Sequence, residues 1–251
     1  MRDPNAGSGV TVHFSRTAVG SLFLGGALAA TLGSLLYPAM LGVQKVNSAP
    51  DRIIAAPESG KLSEADRDFV VKVRAAGLWE YSVGLMALQK STTKSIRTAG
   101  QQLTAEDASL DAACRRTAGQ LGITLPDQPS PQQQGFVSRL NADSPEQFGA
   151  DMATTVRAVD GQLLMTIASV RSTTKNSLIR ALAAEANDTV LDHIRAVEKT
   201  GLVDFDQAVF QETSPSLPAH DLTPPPPAAG QPQVILTPPA DSTVSPRSTV
   251  D

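Results

Sequence analysis

The chain contains a single cysteine, Cys114, and this scarcity limits what can hold the fold together. One thiol cannot form an intramolecular disulfide, so a disulfide framework is excluded. Cys114 falls on an apolar helical line, and we expect it to be a small buried hydrophobic residue. No cysteine lies near the N-terminal apolar segment, which excludes lipid attachment of the lipoprotein type.

Blocks of basic residues are also missing. Lysine and arginine total 21 against 25 acidic residues, which gives a formal net charge of −4. The densest basic position, Arg115 with Arg116, is typical of a solvated helix face. A mildly acidic chain without a basic block is a poor nucleic-acid binder, so we expect no nucleic-acid partner.

Charged residues are absent from residues 17–44. This run exceeds the roughly 7–15 residues of a signal-peptide core and meets the roughly 20 that span a bilayer. Small-x-small cleavage sites near it are poor, which favours an uncleaved transmembrane signal anchor over residues 17–43. We therefore predict that residues 1–16 are cytoplasmic and that the rest of a single-pass cell-membrane protein is extracytoplasmic. The alternative is a cleaved signal peptide and a secreted protein.

Prolines mark the two segments that flank the central part of the chain. Residues 44–62 contain Pro50 and Pro57 and are predicted to be a linker. Ten of the 18 prolines lie from Pro215 onward. Residues 213–251 are therefore predicted to be a disordered Pro-rich tail with polyproline II character.

Between these flanks, residues 63–212 show the period of amphipathic helices. Apolar residues recur at steps of three and four in four long segments. Ser63 and Asp66 predict a capping box at the start of the first segment. The sequence S-T-T-K occurs at 91–94 and again at 172–175, each time between two long segments. The pattern predicts an all-α domain, a four-helix bundle made of two helical hairpins.

Each predicted helix carries one polar residue on its apolar line: Glu80, Asp107, Asp160 and His193. At about 1.5 Å per residue, the three acids lie about 20 Å from their S-T-T-K turns and His193 about 29 Å. We expect the four side chains to converge near mid-height. Three adjacent acids cannot all stay ionised without compensation, because like charges raise one another's pKa. Either the acids and His193 bind a divalent metal ion, or some carboxyls keep their protons beside a charged His193.

At these positions the chain resembles a known family. The resemblance covers roughly residues 64–205 and is to the ferritin-like envelope proteins catalogued as domain-of-unknown-function family 4142, often labelled predicted outer-membrane proteins. The matching segments are residues 75–80, 103–110, 123–126, the stretch from Phe148, and 191–193. The family usually has histidine where this chain has Asp107 and Asp160, whereas Glu80 and His193 keep the usual residue. The resemblance implies a ferritin-like fold.

Two classes of function remain open from the sequence. The first is a membrane-anchored, extracytoplasmic bundle with a binding or structural role in the cell envelope, with a protein or cell-wall partner that the sequence does not identify. The second is a metal-binding protein with a carboxylate and histidine site between the helices. Di-iron bundles use Glu-x-x-His pairs, and the chain contains none. This favours the first class and argues against enzymatic activity.

Overall fold

The computed structural model describes residues 52–214 and 217–239. The predicted cytoplasmic segment 1–16 and the predicted span 17–43 lie outside these residues. Within the described part of the chain, no helix has both the length and the apolar character needed to cross a bilayer.

The end of the predicted linker is folded onto the domain. Strands β1 (Ile53–Ala55) and β2 (Leu62–Ser63) pair antiparallel, with Ile53 opposite Ser63. Between them Gly60 has a φ of 110°, and a Cβ there would lie 2.2 Å from the carbonyl oxygen of Lys175. This close approach requires glycine, because any side chain would displace the loop. The linker prediction is therefore wrong for residues 53–62.

Helices α1 (Glu64–Lys90) and α2 (Lys94–Leu121) form the first hairpin. The predicted capping box is present: Ser63 Oγ accepts from the Asp66 amide at 3.1 Å, and Asp66 Oδ2 accepts from the Ser63 amide at 3.0 Å. The two helices approach closely at Gly84 and Gly100, where the backbones leave no room for a Cβ.

The next three helices each begin directly after a residue whose side chain caps them. Helix α3 (Pro131–Ala142) is capped by Ser130, and α4 (Pro145–Thr173) by Ser144. Helix α5 (Ser177–Glu198) follows the second S-T-T-K sequence and is capped by Asn176. Helices α6 (Phe205–Thr213) and α7 (Ala219–Leu222) complete the set in the described residues.

The four long helices pack as a closed square. Helix α1 lies against α2 and α4, and α5 lies against the same two helices. Ile96 at the start of α2 contacts Gly149 at the start of α4, while Gly60 before α1 contacts Lys175 before α5. The two S-T-T-K turns therefore lie at opposite ends of the bundle, so the hairpins point in opposite directions.

The apolar core is divided into two clusters. One contains Phe69, Leu110, Ile167 and Val190 and lies toward the end where α1 begins. The other contains Trp79, Leu103, Phe148 and Val197 and lies toward the end where α2 begins. Cys114 is buried in the first cluster, as expected, and burial raises the pKa of its thiol to about 12. The cysteine is thus a neutral packing residue at physiological pH.

Part of the proline-rich tail packs on the bundle. The main chain of residues 234–237 accepts hydrogen bonds from Arg74 and Tyr81 on α1 and donates one to Asp111 on α2. Leu236 is 8% exposed. The prediction of a disordered tail is therefore wrong for the described residues 217–239. Residues 224–239 form neither helix nor strand, as their prolines favour, and side chains of the bundle satisfy part of their extended backbone instead.

Candidate functional site: a polar layer at mid-bundle

The four polar residues expected to converge lie between the two apolar clusters. Glu80 is on α1, Asp107 on α2, Asp160 on α4 and His193 on α5, and each is at most 2% exposed. One potential ligand atom from each of Glu80, Asp107 and His193 lies within 4.8 Å of the other two. We call these four residues the polar layer.

His193 lies at the centre of the layer. Its Nδ1 is 3.0 Å from Glu80 Oε2 and 3.9 Å from Asp160 Oδ2. Its other ring nitrogen, Nε2, lies 3.4 Å from Glu106 Oε2. The imidazole therefore contacts carboxylates from three helices, α1, α2 and α4.

The sequence places His193 about 9 Å further from its turn than the three acids, yet in the structure it lies beside Glu80 and Asp160. The directions of the helices and of their side chains explain this difference. Helix α5 begins at Ser177, after the turn, so His193 lies about 24 Å from the helix start, whereas Asp160 lies about 20 Å from the end of α4. The Cα–Cβ bonds of a helix tilt toward its N-terminus. Because α4 and α5 are antiparallel, the two side chains tilt toward each other, and this closes a gap of about one turn.

Burial dominates the electrostatics of the layer. Desolvation raises the pKa of Glu80 to about 8, against smaller opposing effects of the neighbouring Asp160 and Trp79 side chains. Desolvation likewise raises the pKa of Asp107 and of Asp160 well above the usual range, and the neighbouring charge of Glu80 raises both further. The layer therefore favours either protons or a compensating cation.

Several buried atoms of the layer lack a hydrogen-bond partner. Glu80 Oε1, Asp107 Oδ2 and His193 Nε2 are each shielded from solvent without one. Buried polar atoms in folded proteins are almost always satisfied, so such a group requires an explanation. Three potential metal ligands with unsatisfied atoms in one small region are the arrangement that a bound cation would complete.

Glu106 is a member of the site that the sequence reasoning missed. It precedes Asp107 on α2 and lies three residues after the core residue Leu103, so the helical period places it at the border of the inner face. Its side chain is 19% exposed, and Gln102 donates a hydrogen bond to its Oε1 at 3.2 Å. Glu106 thus connects the buried histidine with the protein surface.

Fold and site together define a small helical protein: a four-helix bundle whose core is divided by a buried layer of carboxylates and one histidine. The family model described as Domain of unknown function (DUF4142) matches residues 53–200, and the chain belongs to this family. All members of the polar layer lie within the matched residues. Searches of curated proteins and of solved structures found no match.

Proposed function

We propose that the polar layer binds a divalent metal ion and that the protein is a metal-binding helical bundle. The observation that carries the proposal is the convergence of Glu80, Asp107 and His193 within 4.8 Å, with an unsatisfied buried atom on each. A bound cation would satisfy these atoms and compensate the carboxylate charges at the same time.

The donor set indicates the class of metal. Carboxylates suit hard cations such as Mg²⁺ and Mn²⁺, whereas imidazole suits Zn²⁺ and Fe²⁺. One histidine nitrogen among several carboxylate oxygens, with no thiolate in the layer, favours Mn²⁺, Fe²⁺ or Zn²⁺. Asp160 and Glu106 are close enough to His193 to contribute as ligands or to orient it.

A structural role is the second candidate, and the pKa of Glu80 near 8 favours it. A carboxyl that keeps its proton at neutral pH can hydrogen-bond to a neighbouring carboxylate across the helices. The layer would then fix the register of the helices without any ligand. This candidate retains the binding or structural role in the cell envelope that the sequence suggests.

Thermal unfolding of the full chain with and without a chelator separates the two candidates. A metal that binds only the folded chain at 100 times its Kd stabilises by about 2.7 kcal/mol. A change of 1 kcal/mol shifts the Tm of a chain of this size by about 2–4 °C. Chelator should therefore lower Tm by several degrees, and Glu80→Gln should abolish the response. Asp151→Asn, which changes an exposed acid on α4, should respond like the unaltered chain.

An unchanged Tm after chelation, in a chain that was exposed to the three metals, would contradict metal binding. The same experiment at lower pH would then test the structural candidate, whose stability increases on mild acidification.

We further propose that the bundle is extracytoplasmic and attached to the cell membrane by residues 17–43. The uncharged run supports this location, and its poor cleavage sites support an anchor over a cleaved signal. Mass spectrometry of the membrane fraction should recover the segment before residue 39. A mature N-terminus between residues 39 and 60 would contradict the anchor and support secretion after cleavage.

A further inference from the structure

An extended segment of the tail lies along α1 and α2, and bundle side chains bind its backbone. We call residues 232–239 the strap. Asp127 accepts from the amide of Val234 at 3.1 Å, and Arg74 donates to the carbonyl of the same residue at 2.6 Å. Asp111 accepts from the amide of Leu236 at 3.2 Å. Tyr81 donates to the carbonyl of Thr237 at 2.7 Å.

The strap is anchored by one side chain. Leu236 packs against Leu78 and Ala108, with Tyr81 at the edge of this small cluster. The two residues before it are not buried to this degree: Val234 and Ile235 are 41% and 56% exposed. Recognition therefore combines main-chain hydrogen bonds with one apolar pocket, which is how extended peptides are bound by other proteins.

The residues that hold the strap also bond to one another within the bundle. Arg74 and Asp111 form an ion pair whose side chains are 0% and 1% exposed, and Arg115 donates to the second oxygen of Asp111. A buried ion pair requires that its remaining donors and acceptors be satisfied. Here a peptide backbone supplies the partners, at Arg74 Nη2 and Asp111 Oδ2.

The residues that bind the strap and the strap itself belong to different parts of the chain. Arg74, Tyr81, Asp111 and Asp127 all lie within the residues that the family model matches, whereas the strap begins after the match ends at residue 200. Holding the strap also fixes an exposed, extended segment in return for four side-chain contacts and one buried leucine. The ordering entropy offsets much of that gain, so the strap should leave its site readily.

We propose that this face of α1 and α2 is a binding site for extended peptides, and that the strap is a resident ligand which a second peptide replaces. The fitting partner is an uncharged, extended segment with a leucine anchor followed within two residues by proline, as in Leu236-Thr237-Pro238. Charge at the anchor position would be excluded, because the pocket formed by Leu78 and Ala108 is apolar.

Fluorescence anisotropy with a labelled synthetic peptide of residues 230–240 tests the proposal on the full chain. The unaltered chain should bind weakly, because its own strap competes at high effective concentration. The full-length variant Leu236→Asp, whose strap is impaired, should bind at least tenfold more tightly. A matched peptide carrying Leu236→Asp should not bind either chain. A folded Leu236→Asp chain that binds the peptide no better than the unaltered chain would overturn the proposal.

Hydrogen exchange on the unaltered chain keeps the proposal testable if Leu236→Asp does not fold. The amides of Val234 and Leu236 should exchange at least a hundredfold faster than core amides of α1, because the strap opens without unfolding of the bundle. Equal protection of the strap and of α1 would show that the strap is a permanent part of the fold, and would overturn the proposal.

Discussion

Without metal, the folded chain should become less stable as pH rises from about 4.5 to about 8. Burial raises the pKa of Glu80 from 4.5 to about 8, and it raises the pKa values of Asp107 and Asp160 well above their usual range. Over this window the folded chain holds protons that the unfolded chain has released. The free energy of unfolding therefore falls as pH rises and becomes constant above the folded-state pKa values.

The magnitude follows from the shift at Glu80. One proton held in the folded state only corresponds to a slope of about 1.4 kcal/mol per pH unit. Between pH 4.5 and 8, Glu80 alone accounts for a loss on the order of 4 kcal/mol. Domains of this kind are stable by about 5–15 kcal/mol, so the loss is a large part of the total.

Urea unfolding at pH 5, 6, 7 and 8 in the presence of chelator measures this slope. Glu80→Gln is nearly isosteric and carries no charge, so it should make the slope shallower. Asp151→Asn, an exposed acid on α4, should leave it unchanged. Saturating metal should reverse the sign of this slope. Ligands must be deprotonated to bind, so the stability that the metal contributes rises with pH. A metal-free chain whose stability stays level or increases between pH 5 and 8 would refute the reasoning.

Two further predictions concern the packing of the bundle. Gly100→Ala should destabilise by about 1–3 kcal/mol, because its Cβ would lie 2.6 Å from another side chain, whereas Gly119→Ala on the same helix meets nothing within 4 Å and should stabilise slightly. Similar midpoints for these two variants in urea would contradict the close approach of α1 and α2. Arg74→Ala should cost about 3–5 kcal/mol because it leaves Asp111 buried without its main partner, and Arg115→Ala, at a side chain 27% exposed, should cost under about 1 kcal/mol. Equal losses in the two arginine variants would contradict the importance of the buried pair.

Local sequence signals were sufficient for the helices. Ser63 and Asp66 form the capping box that their spacing predicts, and Ser130 and Ser144 also cap their helices through a side-chain hydrogen bond. Caps depend on neighbours three residues away, so they are readable from sequence alone. The resemblance to domain-of-unknown-function family 4142 is confirmed by the match over residues 53–200.

The polar layer was visible because each of its residues interrupts an apolar line. The contacts that His193 makes with the carboxylates cannot be predicted in this way, because they depend on the opposite directions of the two hairpins. Glu106 was missed because it lies at the border of the inner face, where periodicity does not distinguish a site residue from a solvated one.

The long-range partners of buried charged residues cannot be predicted from the local sequence. An arginine on an amphipathic helix is expected at the surface, yet the side chain of Arg74 is fully buried. Its partners are Asp111 and the main chain of Val234, which lies 160 residues away. Nothing in the local pattern of either segment indicates this contact, so the tail was expected to be disordered.

Metal content of the purified full chain tests the central proposal most directly. The protein is exposed in turn to Mn²⁺, Fe²⁺ and Zn²⁺, desalted, and measured by elemental analysis beside Glu80→Gln, Asp107→Asn and the control Asp151→Asn. We expect about one retained ion per chain for one of these metals in the unaltered protein and the control, and a loss of most of it in the other two variants, because structural sites need most of their ligands. Retention of no metal by the unaltered chain, or equal retention by all four proteins, would contradict a metal site in the polar layer.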